Sequence, residues 1–371
     1  MKKFFSVLLV VAMLFALAAC AAPAAPAATE APAAATEAPA ATEAPAAVPF
    51  VGISMPTQDL QRWNQDGANM KEKFEAAGYK VDLQYANNEV ATQVSQIENM
   101  ISAGVNALVI AAIDGKTLTS VLATAKDAGI YVIAYDRLIM DTDAVNYYCT
   151  FDNYMVGTIQ GQYIKDQLKL DAGGAYNMEI TAGDPADNNA LFFYQGAIDV
   201  LQPYIDSGVL KVVSGQVAFA DVATAAWSTE TSQARMEAIL ASYYADGTQL
   251  DACLCSNDST AKGVTNALAS SYTGKYPIVT GQDCDIANTK DIIAGKQSMS
   301  IFKDTRTLAA QTVTMVSDLL AGKTPEVNDT KTYNNGTGII PTFLCAPVFA
   351  DINNYKELLI DSGYYTADQL K

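Results

Sequence analysis

The chain has 371 residues, half of them hydrophobic and 17% charged, enough to bury a substantial core over two or three domains. Lys and Arg number 23 against 40 Asp and Glu, and the resulting net charge of -17 repels phosphate backbones and anionic lipid surfaces, which argues against a nucleic-acid partner. The absence of histidine excludes Ser-His-Asp and Cys-His nucleophiles, His-ligated zinc or haem and the usual near-neutral general base.

Residues 1–19 have the layout of an export signal: Lys2 and Lys3, a charge-free run over 4–17, then small residues. The run is short for a bilayer core, which needs about 20 apolar residues, so cleavage is expected rather than a membrane span. Leu17-Ala18-Ala19-Cys20 resembles a bacterial lipobox, which makes Cys20 the expected lipidated N-terminus of the mature chain and the membrane a partner through that anchor alone. An ordinary signal peptide ending by chance in Cys is the alternative. Residues 21–47 are nearly all Ala, Pro, Thr and Glu, with Thr-Glu-Ala-Pro starting at Thr29, Thr36 and Thr42. Such a stretch has little to bury and reads, with Cys20, as a linker over 20–47, reaching on the order of 80 Å if fully extended.

The folded part is expected from Val48 onward, as two lobes of about 160 residues each. Continuous apolar runs over 50–55, 107–113, 130–135, 250–255 and 277–280 read as buried parallel strands. Between them lie helical stripes: Leu60, Trp63, Gly67, Met70 and Phe74; Val90, Val94, Ile97 and Ile101; Leu308, Thr312, Met315 and Leu319. The alternation predicts an α/β protein with doubly wound parallel sheets. Five cysteines remain, Cys149, Cys253, Cys255, Cys284 and Cys345; the number is odd, none has metal-site spacing, and all are expected to be buried thiols.

Sites in open α/β sheets lie beyond the carboxyl ends of the strands. Following the strands in order, the chain offers Asp59, Arg62 and Trp63; Asp114; Asp136 and Arg137; Asp152 and Asn153; then Asp184, Asp187, Asn188 and Asn189; Asn257 and Asp258; Gln282 and Asp283; and Lys303. Carboxylates, planar amides and a few cations from both halves suit a neutral polyhydroxylated ligand. Some of these residues, Asn153 and Asp258 in particular, serve equally well as turn and N-cap residues.

In this order, Gln61-Arg62-Trp63, Ser95-Gln96-Ile97-Glu98-Asn99-Met100, Ala134-Tyr135-Asp136-Arg137, Phe151-Asp152-Asn153, Asp187-Asn188-Asn189, Ser256-Asn257-Asp258 and Gly281-Gln282-Asp283 form a set that resembles the xylose-binding and multiple-monosaccharide-binding proteins of bacterial ABC importers, which are type I periplasmic binding proteins. The resemblance runs from about Val51 to Gly363-Tyr364-Tyr365. It implies two lobes joined by a three-segment hinge, crossing near Asp152, Lys303 and Asn334, with a first lobe of 48–152 plus 304–333 and a second of 153–303 plus 334–371. It places Arg62, Asp136, Asp187, Asn189, Asn257, Asp283 and Lys303 where the family hydrogen-bonds sugar hydroxyls. Trp63 falls where an aromatic face packs on the ring, although its helical stripe also suits plain core packing. The xylose-binding members carry a second tryptophan in the turn after the strand near Val213; here that turn is Gln216-Val217-Ala218-Phe219-Ala220-Asp221, so Phe219 is the expected substitute, and Trp227 is read as structural at the head of a helix.

The function implied is a monomeric, lipid-anchored extracytoplasmic receptor that closes on an aldopentose or aldohexose of the xylose, glucose, galactose or arabinose class. It would deliver the sugar to the permease and ATPase of an ABC importer, without catalysis, cofactor or metal. Two alternatives stay open: a receptor reporting sugar or a signal molecule to a sensor kinase, and an extracytoplasmic glycosidase using Asp136 and Asp283. A dinucleotide enzyme is disfavoured, since Gly52-Ile53-Ser54-Met55-Pro56 lacks the Gly-x-Gly-x-x-Gly pattern.

Overall fold

The computed structural model describes residues 48–371; the expected export signal, Cys20 and the linker lie outside the described residues. The first lobe is built on β1 (Phe50–Met55), α1 (Gln61–Ala76), β2 (Lys80–Tyr85), α2 (Val90–Ser102), β3 (Ala107–Ile110), α3 (Thr119–Asp127), β4 (Tyr131–Tyr135) and β5 (Tyr147–Phe151). The chain then passes through α4 (Asn153–Leu168), β6 (Tyr176–Thr181), α5 (Asn188–Asp206), β7 (Leu210–Val212), α6 (Phe219–Val222) and α7 (Thr229–Tyr243). It continues with β8 (Ala252–Cys255), α8 (Asp258–Ser271), β9 (Ile278–Val279), α9 (Ile286–Ile293), β10 (Met299–Phe302), α10 (Thr305–Leu320), β11 (Thr342–Cys345) and β12 (Val348–Asp351).

One sheet has the order β11-β5-β4-β3-β1-β2, with every pair parallel. A second, β7-β6-β8-β9, is also parallel. β10 and β12 form an antiparallel pair, linked to the end of the second sheet by a bridge between Gln282 and Ile301. Parallel strands need crossover helices, and these cover both faces of the first sheet. Phe74, Met70, Leu308 and Met315 of α1 and α10 pack on one side, and Ile97 and Leu122 of α2 and α3 pack on the other. The α1 and α10 stripes are buried as their spacing predicts; α2 is turned slightly, so that Gln93, Ile97 and Met100 face inward and Val94 and Ile101 only half so. The inward turn has a purpose, since the Gln93 amide bonds Ser54, the Ala111 carbonyl and the Ile113 N–H at the ends of β1 and β3.

Two crossings run directly into capped helices. Asp152 accepts from the Met155 N–H at the start of α4, and Asp304 accepts from the Arg306 N–H at the start of α10. The third crossing departs from expectation. β11 pairs in register with β5, Thr342 opposite Tyr148 and Cys345 opposite Phe151, so residues 334–345 belong with the first sheet and the chain crosses after Cys345, at Ala346-Pro347. The polar stretch around Asn334 folds back on the first lobe instead, where the Asn335 amide donates to the Ile139 and Thr142 carbonyls. All five cysteines beyond the linker are free and buried, and burial pushes the Cys345 thiol up to about 11.

Candidate functional site

The residues that follow the strands meet between the two sheets. Arg62, on the first turn of α1, is held by three carboxylates: Nε donates to Asp66 Oδ2 (3.0 Å), Nη2 to Asp136 Oδ2 (2.9 Å), and Nη1 lies 3.4 Å from Asp283 Oδ1. Asp66 sits one turn along the same helix and also receives the Tyr135 hydroxyl. Lys303, at the second crossing, approaches Asp283 at 3.1 Å and Asp136 at 3.9 Å. Arg137 reaches across to Asp187, at 3.0 Å. The Asp136 carbonyl accepts from Tyr148, Thr150 and Asn189, the last at 2.6 Å, which ties the first lobe to the N-terminus of α5. Asp187 caps α5 and Asn257 caps α8, each with its side-chain oxygen, so both are fixed by local backbone bonding before any ligand is considered.

These groups line a narrow cleft of about 290 Å³, whose walls stand close together. Every residue carried over as a sugar contact lines it: Arg62, Trp63, Asp136, Asp187, Asn189, Asn257, Asp283 and Lys303. Of the other strand-end residues, Asp59 is exposed, Asp114 and Asp184 bond the loops in which they sit, and Asn153 donates to Tyr148 behind the site. Leu60, Phe193, Trp227 and Gln282 complete the lining. Phe193 stands four residues after Asn189 on the buried face of α5, a spacing that the sequence displayed.

The second aromatic wall is Trp227, which corrects two expectations. Phe219 turns away against Tyr194, with ring centroids 5.6 Å apart, and is absent from the cleft. Trp227 precedes α7, whose N-cap is Ser228, and lies in a turn where both Ala226 and Trp227 have positive φ (53° and 55°). That turn lays the indole over Gly183 and beside Phe193. Trp63 serves as both core and wall: it is 2% exposed, packs in the first-lobe core, and carries the guanidinium groups of Arg62 and Arg137 at 4.4 and 5.1 Å from its ring. The buried Nε1 of each tryptophan has no hydrogen-bond partner.

Three cations, Arg62, Arg137 and Lys303, match the three lining carboxylates Asp136, Asp187 and Asp283 in number, so the wall is charge-compensated and suits a neutral ligand. Burial raises the Asp136 pKa, but Arg62, Lys303 and Arg137 outweigh it and hold the group below the ordinary carboxylate range. At Asp187, also in the wall, burial prevails over the pull of Arg137 and raises the carboxyl, and behind the wall the balance reverses too. Burial pushes Asp66 up to about 6 against the pull of Arg62, and burial with the nearby Asp283 charge pushes Asp285 up to about 7. Asp258 is raised as well, by burial and then by Asp285. These three bind protons in the folded state at pH values where the unfolded chain, near 3.8, has released them. For Asp66 and Asp285 that contribution is therefore fully present below about pH 3.8 and is lost as pH rises through 6 and 7, and Asp258 acts in the same direction. Asp136 acts oppositely, but only as pH falls below 3.8 through its depressed value. The melting temperature should accordingly be higher at pH 5 than at pH 8, and Asp285→Asn should flatten that slope; a midpoint that climbs steadily from pH 5 to 8 would contradict this assignment.

Residues 51–324 match the family model described as periplasmic binding protein domain, close to three quarters of the chain. The chain belongs to this family. Among similar proteins, the multiple sugar-binding periplasmic receptor ChvE of Rhizobium radiobacter is 52% identical over 326 residues, covering 86% of this chain and 92% of that protein. The D-xylose-binding periplasmic protein of Escherichia coli (strain K12) is 37% identical over 320 residues, 86% and 92% of the two chains. A crystal structure of an ABC transporter solute-binding protein from Clostridium phytofermentans, with bound β-D-glucose, is 70% identical, covers 87% of this chain and 100% of its own, and superposes with a TM-score of 0.86. The chain has the type I periplasmic binding protein fold, two α/β lobes, and its charged cleft lies between them.

Proposed function

We propose that this chain is an extracytoplasmic receptor for a neutral monosaccharide of the aldopentose or aldohexose class, handing its sugar to the permease and ATPase of an ABC importer. The observation that carries this reading is the cleft itself: a charge-compensated set of carboxylates, amides and cations, with the Trp63 and Trp227 indoles, drawn from both lobes into one narrow cleft. The multiple-sugar and xylose receptors and the glucose-bound solute-binding protein supply the ligand class. Leu17-Ala18-Ala19-Cys20 and the linker supply the lipid tether.

The mechanism proposed is ligand-driven closure. Arg62, Trp63 and Asp136 stand on the first lobe, and Asp187, Asn189, Trp227, Asn257 and Asp283 on the second, with crossings at 152, 303 and 346–347 acting as the hinge. A sugar gains its full set of contacts only when the lobes meet, so it favours the closed arrangement by its differential affinity. Glycosidase chemistry would need a carboxylic acid held protonated, and Asp136, kept ionised beside two cations, is the opposite of that. Titration calorimetry against xylose, glucose, galactose, arabinose and ribose should give single-site binding to at least one, with a smaller radius of gyration for residues 48–371 at saturation. No heat from any of the five would overturn the receptor assignment; binding with an unchanged radius would overturn closure.

A further inference from the structure

The Gln61-Arg62-Trp63 motif contains one residue that the cleft does not use. Gln61 points away from the lining, towards the C-terminal segment, and makes two bonds to the other lobe. Its Nε2 donates to the Tyr365 hydroxyl at 2.6 Å, and its Oε1 accepts from the Ile286 N–H at 3.1 Å. The Tyr365 hydroxyl also accepts from Gln65 Nε2 (3.2 Å) and donates to the Cys284 carbonyl (2.9 Å). The Tyr365 ring is 4% exposed and packs with Cys284, Phe302 and Leu359, so it is anchored in the second lobe while its hydroxyl reaches α1 of the first.

We infer that Gln61 and Tyr365 form a lobe-to-lobe clip that sets the population of the closed state, and with it the affinity for every ligand, without touching the ligand. Both ends of the clip adjoin the cleft. Gln61 is next to Arg62, and Cys284 is next to Asp283, in a segment where both Asp283 and Cys284 hold positive φ (96° and 52°). The hydroxyl therefore bonds the strained loop that presents Asp283 and the helix that presents Arg62. Closing the lobes would make the three bonds that cross between them, Gln61 to Tyr365, Gln61 to Ile286 and Gln65 to Tyr365, and opening would break all three, whatever sugar is inside. The neighbouring Tyr364 adds a contact of the same kind, its hydroxyl donating to Gln65 Oε1 at 3.2 Å.

The inference rests on the receptor reading above and deepens it, because apparent affinity is the affinity of the closed form reduced by the fraction of chains that are closed. A clip residue must therefore scale all sugars alike, whereas a sugar-contacting residue changes their ranking. Tyr365→Phe, which keeps the ring, and Gln61→Ala should each raise the dissociation constants for glucose and xylose by one common factor, on the order of tenfold, mainly through faster release. The double variant should be weaker than either single one but by less than the product of the two factors, since the Gln61–Tyr365 bond is already lost in each. In the full chain without sugar, both variants should show faster hydrogen exchange at the three crossings than the unsubstituted protein. Unchanged affinity in Tyr365→Phe would overturn the clip, as would a loss confined to one sugar, which would make the hydroxyl a specificity contact. If the unsubstituted chain binds none of the five sugars, the receptor reading fails by itself, and the exchange comparison still decides the clip: equal rates at the crossings would refute it.

Discussion

Arg62→Met should abolish sugar binding at any practical concentration and should also lower stability by about 3–5 kcal/mol, the usual consequence of removing one partner from a buried ionic network. The guanidinium bonds Asp66 and Asp136 and lies 3.4 Å from Asp283, and it is 6% exposed; methionine fills much of its volume but leaves Asp136 and Asp283 to Lys303 alone. Asp66, already near 6, would become protonated at neutral pH, so part of the stability loss should be recovered at pH 5. Arg62→Lys separates charge from geometry. An ammonium keeps the net charge but lacks the planar fork that reaches three carboxylates, so it should restore more of the stability than of the binding. Calorimetry and thermal melts on the two variants provide the comparison. If Arg62→Met bound within threefold of the unsubstituted chain, the cleft would not be the ligand site.

Much of this architecture was legible because burial writes itself into residue type. The run over 50–55 is apolar because β1 is covered on both faces, and the α1 and α10 stripes follow from helical spacing. β2 was missed for the same reason in reverse: it is an edge strand, half-buried, with Lys80 and Asp82 among its six residues. The crossing set at Asn334 failed because a polar, Gly-containing stretch looks the same whether it links two lobes or folds back on one. What decided it was the pairing of β11 with β5 more than 190 residues earlier, which no local pattern records. The carried-over cleft residues all line the cleft because strand ends converge in such sheets wherever the chain runs. Trp227 did not announce itself, since an Ala-Trp pair in left-handed conformation is the reverse of what either residue prefers. The packing of the indole against Gly183 and Phe193, with the Ser259 hydroxyl donating to the Trp227 carbonyl at 2.8 Å, holds the pair there.

That packing yields the second large expected effect. Gly183 follows β6, and a Cβ placed there would collide with the six-membered ring of Trp227 at Cη2, Cζ3 and Cζ2. Gly183→Ala should therefore push the indole off its seat and weaken sugar binding by at least tenfold, although position 183 itself is not among the lining residues. Overpacking of this kind should cost about 1–3 kcal/mol of stability. Trp63 and Trp227 are the chain's two tryptophans, so the displacement should register directly in intrinsic fluorescence. Trp227→Ala removes the wall outright and should cost as much binding or more. The double variant distinguishes a displaced indole from a damaged strand end. With alanine at 227 the methyl group at 183 has nothing to strike, so adding Gly183→Ala to Trp227→Ala should cost little further stability and no further affinity. Strictly additive losses would mean that Gly183 acts through its own backbone, and the assignment of Trp227 as the second aromatic wall would lose its support.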